Sequence, residues 1–122
     1  MKKKDDGWLP KGGDKLSTKK VGTIGELSVQ SEILNQGFNV YIPVCDDDQV
    51  DLVVETELGF KRVQVKTVTG LTRGTAVECR LKKYVNTNRV DVFALHYLPK
   101  GLTAFYPYHN EGSIILALYM SK

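Results

Sequence analysis

Asp51, Gln64 and Lys66 have the residue types and the spacing that hydrolysis of a phosphodiester requires. Asp51 lies in the apolar run Val50-Asp-Leu-Val-Val54, and Gln64 and Lys66 lie two residues apart in a second apolar run. Because side chains two apart in a strand share one face, Gln64 and Lys66 point in the same direction. A carboxylate that binds a hard cation, beside a lysine, can activate water and stabilise charge on a phosphate. The pattern therefore predicts a metal-dependent hydrolytic site.

The oxygen atoms near these residues fit Mg²⁺. This ion prefers octahedral oxygen ligands and keeps several waters, so one or two carboxylates are enough. We expect Glu26, Asp51 and the main-chain carbonyl of Val65 to bind it, with the amide oxygen of Gln64 nearby and Mn²⁺ as a substitute. Lys66 would hold the attacking water and offset charge on the phosphate. The predicted catalytic residues are Glu26, Asp51, Gln64 and Lys66.

Glu26 belongs to a predicted helix over residues 23–36. The N-cap is expected at Gly22 or Thr23, and Glu26 three residues after Thr23 fits a capping box. A helical wheel also places Glu26 inside the extended apolar arc, so it is either a capping residue or an inward-facing ligand. The predicted inward side of this helix comprises Ile24, Leu27, Val29, Ser31, Ile33 and Leu34.

The remainder of the chain alternates short apolar runs with polar turns, which predicts strands. Two of these runs flank a turn around Glu57-Leu-Gly59, which predicts a hairpin, and the apolar run 90–97 is typical of a buried central strand. A helix followed by many strands predicts an α/β domain with a mixed central sheet flanked by helices. The predicted strands cover 38–42, 49–55, 61–68, 76–81, 90–97 and 102–108, while 113–120 is a strand or a helix and 82–87 a turn or short helix.

Four segments in this order resemble the PD-(D/E)xK nuclease superfamily. They are Gly25-Glu26 in the helix, Gln36-Gly37-Phe38 at its end, Val50–Val54, and Val63-Gln-Val-Lys-Thr67. The later run 90–97 resembles the following strand of archaeal Holliday-junction resolvases and group I intron homing endonucleases, and the Gln-x-Lys variant is most like the second group. The resemblance implies a restriction-endonuclease-like fold that cuts duplex DNA with Mg²⁺ as a dimer or tetramer.

Two positions depart from the superfamily pattern. Val50 stands where a proline is usual before the aspartate, which costs little. Gln64 stands where a carboxylate is usual, so the cation site loses one negative charge and its metal affinity should fall. If the site is active, the substrate is either a homing site or a branched junction. If it is inactive, the domain binds DNA without cutting it.

The positive charge of the chain is concentrated at its N-terminus. Residues 1–20 contain seven lysines against three aspartates, a net charge of +4, whereas the whole chain carries +3. Such an arm suits a polyanion, since phosphate contacts release counterions, although a solvated tail has the same composition. We predict a basic flexible arm over residues 1–20 and a single nuclease-like domain over 21–122. The predicted DNA contacts are Lys19, Lys20, Arg73, Arg80, Lys82, Lys83, Asn86, Asn88 and Arg89.

Other classes of protein fit the sequence less well. The apolar run 114–120 is too short to span a bilayer, which needs about 20 residues, and no signal peptide is visible. Cys45 and Cys79 are predicted to be free thiols of a cytoplasmic protein of prokaryotic, phage or mobile-element origin. We expect DNA as the substrate, no small-molecule substrate, and a homo-dimer or tetramer. Weaker alternatives are a metal at Asp46–Asp48, a zinc site made from Cys and His, and a protein-interaction domain.

Overall fold

The computed structural model of the protein describes residues 15–45, 49–71, 74 and 76–117. Ser17 caps the single α-helix of this part of the chain, because its side chain accepts a hydrogen bond from the Lys20 N–H at 3.1 Å. In chain order the helices and strands are α1 Thr18–Asn35, β1 Asn39–Tyr41, β2 Leu52–Thr56, β3 Gly59–Val68, β4 Ala76–Arg80, a short 3₁₀ helix Lys82–Tyr84, β5 Val92–Tyr97, β6 Leu102–Pro107 and β7 Ser113–Ala117.

Five strands form a mixed central sheet in the order β1-β2-β3-β5-β6. β3 pairs in parallel with β5, and the other neighbours in this sheet are antiparallel. A parallel pair needs a crossover connection, which here runs through β4 and the 3₁₀ helix. This mixed architecture confirms the predicted fold class.

The two faces of the sheet are covered by different elements. Helix α1 packs on one face through Val29 and Ile33, against Val63 and Val65 of β3. The other face is covered by a second sheet of two strands, β4 and β7, together with the 3₁₀ helix. Since side chains alternate along a strand, Gln64 and Lys66 point to the face opposite α1.

Helix α1 starts earlier than predicted, at Thr18. Ser17 provides the cap, and the Thr23 hydroxyl instead donates to the Lys19 carbonyl at 3.0 Å within the helix. The predicted N-cap at Gly22 or Thr23 was therefore wrong. Glu26 lies beyond the first turn, which excludes the capping-box role.

The inward face of α1 also differs from the helical-wheel prediction. Its buried residues are Gly25, Val29 and Ile33, whereas Leu27 and Leu34 are 59% and 55% exposed. The three buried residues are four apart, so they form one ridge along the helix. Val29 and Ile33 are buried as predicted, but the predicted stripe was centred too far towards Leu27 and Leu34, because a glycine does not register as apolar on a wheel.

Candidate active site

Asp51 is fixed at the start of β2 by two bonds to β3. Its N–H donates to the Val63 carbonyl at 2.8 Å, and its Oδ2 accepts from the Val65 N–H at 2.8 Å. The antiparallel register of β2 with β3 begins at the pair Leu52–Val63, so Asp51 directly precedes the paired residues. The Asp51 carboxylate therefore lies against the backbone of Val65, whose chain neighbours Gln64 and Lys66 point to the face opposite α1.

Two opposing effects act on the pKa of Asp51. Burial raises the pKa of its carboxyl above the usual value, while the hydrogen bond from Val65 and the charge of Lys66 lower it. Burial has the larger effect, so the pKa is raised overall. The ionised carboxylate is thus less stable in this protein than in water, and a bound cation would offset that cost.

Lys66 lies beside an aromatic ring. Its Nζ is 4.8 Å from the centroid of the buried Tyr84 ring, and Lys83 Nζ is 5.4 Å from the same centroid. A ring face attracts a cation through its quadrupole, so Tyr84 helps to fix the position of the Lys66 ammonium. The Tyr84 ring thereby connects the 3₁₀ helix to the end of β3 that carries Lys66.

Gln64 carries a buried oxygen that no described residue satisfies. Its Oε1 has no hydrogen-bond partner among the residues of the described ranges, while its Nε2 donates to the Val65 carbonyl at 3.4 Å. A buried polar atom without a partner is unusual and costs stability. An amide oxygen is also a ligand that Mg²⁺ accepts, so this atom fits a cation site better than a packed core.

The Val65 carbonyl lies on the same side of β3 as its N–H, which Asp51 accepts. In a strand these two groups of one residue point towards the same neighbour. Since β2 begins only at Leu52, this edge of Val65 faces the Asp51 side chain instead of a ladder partner. The donor atoms at this point are a carboxylate, an amide oxygen and a main-chain oxygen, which together suit a hard divalent cation.

Glu26 reaches the same cleft as Asp51. The cleft has a volume of about 370 Å³ and lies between the N-terminal half of α1 and the start of β2. Both carboxylates are half-buried. The structure thus brings together on one cleft the two acidic residues that the sequence placed on separate elements. The cleft is lined by Lys19, Gly22, Thr23, Glu26, Ile42, Pro43, Cys45, Val50 and Asp51.

Gly25 allows α1 to approach β3 closely enough to hold Glu26 at this cleft. A Cβ atom at Gly25 would lie 1.8 Å from Thr67 Oγ1 and 2.9 Å from Thr67 Cβ. These distances are far below van der Waals contact, so any larger residue must push the helix and the strand apart. Thr67 directly follows Lys66, and the contact therefore fixes the helix beside the predicted catalytic residues.

Gly25→Ala should lower the free energy of unfolding by about 1–3 kcal/mol, because the added methyl group overpacks the contact with Thr67. Urea denaturation of the metal-free protein measures this change. The matched control is Gly22→Ala, one turn earlier in α1, where a Cβ would have nothing within 4 Å. That control should gain up to about 1 kcal/mol from helix propensity. Equal effects at the two glycines would contradict the close-contact interpretation.

The other titratable residues do not join this site. His96 is buried and contacts Thr103 through its Nδ1 at 2.8 Å, in a different cleft that Glu32 also lines. Burial lowers the pKa of His96, so its ring is neutral at physiological pH. Across the described ranges, no three His, Cys, Asp or Glu residues form a group suited to a metal. The zinc alternative therefore gains no support, and a cation at Asp51 would depend on amide and main-chain oxygens.

The predicted DNA contacts are dispersed over several exposed elements. Lys19 and Lys20 lie in the first turns of α1, and Arg80, Lys82 and Lys83 lie at the end of β4 and in the 3₁₀ helix. Arg73 and the acidic segment Asp46–Asp48 lie outside the described residues, as does the arm before residue 15. Asn86, Asn88 and Arg89 lie in the loop before β5.

No role for Arg62 was predicted from the sequence. Its guanidinium makes a bidentate pair with Asp91, through Nε to Oδ2 at 2.9 Å and Nη2 to Oδ1 at 3.0 Å. Its Nη1 also donates to the Asn88 carbonyl at 2.8 Å. The hydrogen bonds from Arg62 are the main reason that the pKa of Asp91 is lowered. The alternation of 62, 64 and 66 along β3 was the available signal that Arg62 lies on the same face as the site.

Comparison with known proteins gives the family and the fold of the chain. A family model described as PD-(D/E)XK endonuclease matches residues 16–118. The chain belongs to the PD-(D/E)XK endonuclease family. The matched range contains α1, both strands that carry Asp51 and Lys66, and the second sheet. No curated protein matches the chain in sequence.

Two of the solved structures that share the fold are similar over most of this chain. One is the bacterial homing endonuclease I-Ssp6803I, with a TM-score of 0.68 and 22% identity over 87% of this chain and 79% of that one. The other is Hjc from Archaeoglobus fulgidus, a Holliday junction resolvase from an archaeal hyperthermophile. It has a TM-score of 0.51 and 17% identity over 79% of this chain and 83% of that one. The resemblance predicted from sequence, to both groups, is confirmed.

No helix in the described part of the chain is long and apolar enough to cross a membrane.

Proposed function

We propose that the protein is a Mg²⁺-dependent DNA endonuclease that acts at the cleft between α1 and β2. One observation carries the proposal: Glu26 and Asp51 line a single cleft, and Gln64, next in β3 to the Val65 that Asp51 binds, has a buried amide oxygen without a partner among the described residues. Lys66 lies on the same face of β3 as Gln64. The membership of the chain in an endonuclease family supports the same activity.

Each residue has a distinct role in this proposal. Asp51, Glu26 and the Val65 carbonyl would hold the cation, with Gln64 contributing a neutral oxygen. When bound, Mg²⁺ supplies Lewis-acid polarisation of the phosphate and a lowered pKa for water. Lys66 orients the attacking water and stabilises the negative charge that develops on the phosphate oxygens. Mn²⁺ should replace Mg²⁺, since both prefer oxygen ligands.

The substrate in this proposal is duplex or branched DNA, by analogy with the homing endonuclease and the Holliday junction resolvase that share the fold. The exposed lysines of α1 and of the 3₁₀ helix would contact phosphates, with Lys19, Lys20, Lys82 and Lys83 as the main contributors. A homo-dimer or tetramer is part of the proposal, because cutting both strands needs two sites of this size. We also propose that the protein acts in the cytoplasm of a prokaryotic or phage-infected cell.

A second candidate is a DNA-binding module without catalytic activity. Gln64 favours it, because an amide in place of the usual carboxylate leaves the cation with less negative charge. The two candidates differ in cleavage and agree in DNA binding.

Nicking of supercoiled plasmid and cleavage of a synthetic four-way junction distinguish the two candidates. The parent protein is incubated with each DNA in Mg²⁺, in Mn²⁺ and in EDTA. Cleavage in either metal that stops in EDTA supports the endonuclease, and faster cutting of the junction or of the plasmid identifies the class of substrate. Salt-sensitive binding without cleavage in either metal would support the binding module instead. Absence of both binding and cleavage would rule out both candidates.

Gln64→Glu should lower the Mg²⁺ concentration needed for half-maximal cleavage by about tenfold. The added carboxylate increases the ligand charge, which tunes the affinity of oxygen sites for divalent cations. In EDTA the same variant should be less stable than the parent, because two carboxylates then repel each other in a half-buried site. Titration of cleavage with Mg²⁺ and thermal melting in EDTA measure the two effects. A higher Mg²⁺ requirement would place Gln64 outside the cation site.

A further inference from the structure

Two clefts on the surface of the protein share lining residues, and a third is lined by a residue adjacent in the chain to the second cleft. The cleft with Glu26 and Asp51 shares Ile42, Pro43 and Val50 with a second cleft. The second cleft also contains two arginines, Arg62 and Arg89. Arg89 is adjacent in the chain to Asn88, which lines a third cleft of about 430 Å³. The third cleft is lined by Asn86, Asn88, Val90, Tyr108, His109 and Asn110.

The backbone of Asn88 is held in a fixed conformation. Asn88 has a φ of 55°, in the left-handed region, where asparagine is one of the few non-glycine residues tolerated. Its carbonyl accepts from Arg62, which is itself bound to Asp91. The next N–H, of Arg89, donates to the Thr87 hydroxyl at 3.3 Å. Hydrogen bonds thus fix this loop to β3 through the Asn88 carbonyl and within the loop between Arg89 and Thr87.

A second contact fixes the same loop to the segment before β7. The Asn86 N–H donates to Asn110 Oδ1 at 2.7 Å, and Asn110 Nδ2 donates to Asn86 Oδ1 at 2.9 Å. Both residues are also left-handed, with φ values of 63° and 70°. These reciprocal bonds occupy the Asn110 amide and the Asn86 oxygen in structural roles.

The Asn88 side chain has no such role. It is exposed, and its amide makes no hydrogen bond with any residue of the described ranges, so both its donor and its acceptor are available. A carboxamide pairs in a bidentate manner with the N6 and N7 atoms of adenine in the major groove. Rigid placement of such a group reduces the entropy lost on binding.

We propose that Asn88 recognises an adenine base in DNA that extends from the catalytic cleft past Arg89. This assignment rests on the proposed nuclease function and adds to it a base preference on one side of the cut. Arg62 and Asp91 act as positioning residues for Asn88, and Asn86 with Asn110 holds the loop from the other side. Arg89 lines the second cleft and is next in the chain to Asn88, so it is the residue that would contact a backbone phosphate there.

The test uses Asn88→Gly, because glycine adopts a positive φ without strain and removes only the side chain. The melting temperature of the variant should therefore match or exceed that of the parent. A pool of 30-bp duplexes of random sequence is bound in EDTA, which prevents cleavage, and the bound fraction is sequenced. The parent should enrich adenine at one position by roughly 10- to 100-fold in affinity, and Asn88→Gly should lose that preference while still binding.

Lys82→Met is the matched comparison, since a phosphate contact carries no sequence information. It should weaken binding of all duplexes about equally and leave the adenine preference unchanged. An adenine preference that persists in Asn88→Gly would overturn the assignment, and so would a parent with no adenine preference. A parent that cuts DNA without this preference leaves the nuclease proposal intact, whereas a parent that neither binds nor cuts DNA removes both.

Discussion

Lys66→Met should lower the rate of DNA cleavage by about 10²–10³-fold at saturating DNA and Mg²⁺. Methionine keeps a long apolar stem against Tyr84 but lacks the ammonium that would stabilise charge on the phosphate. The loss should therefore appear in the chemical step, with only a small change in DNA affinity. Single-turnover cleavage at several DNA concentrations separates these two quantities.

Lys83→Met is the matched control, because both lysines lie over the same Tyr84 ring at 4.8 and 5.4 Å. Each variant loses one cation–π contact, worth about 0.5–1 kcal/mol at an exposed position. We propose that Lys83 contacts a phosphate, so its loss should weaken DNA binding and reduce the salt dependence. Its rate at saturating DNA should stay close to that of the parent. Equal losses of that rate in the two variants would show that Lys66 acts only through Tyr84.

Asp51→Asn should abolish cleavage and also stabilise the protein when no metal is present. Asparagine keeps an oxygen for the Val65 N–H, so the local structure is retained. It removes the charged ligand, which is expected to reduce the cleavage rate by at least about 10²-fold. Plasmid nicking in Mg²⁺ measures the activity, and thermal melting in EDTA measures the stability.

The sign of the stability change follows from the pKa of Asp51. Because burial raises the folded pKa above the usual value of 3.8, the unfolded chain loses this proton at a lower pH than the folded protein. Stability therefore falls as pH rises from the usual value through the raised value, and the cost persists at neutral pH. The neutral amide of the Asp51→Asn variant does not carry this cost, so its melting temperature should exceed that of the parent at pH 7 in EDTA. Mg²⁺ should stabilise the parent and leave the variant unchanged.

Asp91→Asn should change the stability of the protein in the opposite direction. Asp91 also precedes a strand, but its hydrogen bonds with Arg62 lower its pKa, so its ionised form stabilises the fold above the usual value of 3.8. That contribution is lost as pH falls through the lowered pKa, and the variant should melt below the parent at pH 7. Destabilisation by Asp51→Asn in EDTA would show that burial does not dominate at Asp51. A Mg²⁺-induced rise in the melting temperature of that variant would place the cation elsewhere.

Much of the fold was predictable because its signals are local. The alternation of apolar and polar residues in β3, the turn before it and the apolar run of β5 each appear within ten consecutive residues. These patterns predicted the hairpin, the central strand and the shared face of Gln64 and Lys66. The final strand, β7, could not be separated from a helix because its run is short and apolar throughout.

The errors concern residues whose role depends on a distant partner. Ser17 lies at the edge of a lysine-rich arm, and its bond to Lys20 became evident only with the helix in place. Leu27 and Leu34 were assigned to the core because they are apolar, yet Gly25 decides which side of α1 faces the sheet. Arg62, Asn88 and Asp91 are up to 29 residues apart, and nothing local to any of them indicates the cluster.

By itself the sequence determined the order of the elements and the identity of the chemical groups: Asp51 at the start of one strand, Gln64 and Lys66 on one face of the next, and Glu26 on a helix. Tertiary structure alone decided that Glu26 and Asp51 line one cleft, that burial dominates the pKa of Asp51, and that Asn88 presents an amide with no partner in the described ranges. The physical reason is the sequence distance over which each property is set. Side-chain alternation is a property of one strand, whereas burial and the approach of Glu26 to Asp51 depend on how α1 packs at Gly25 against Thr67.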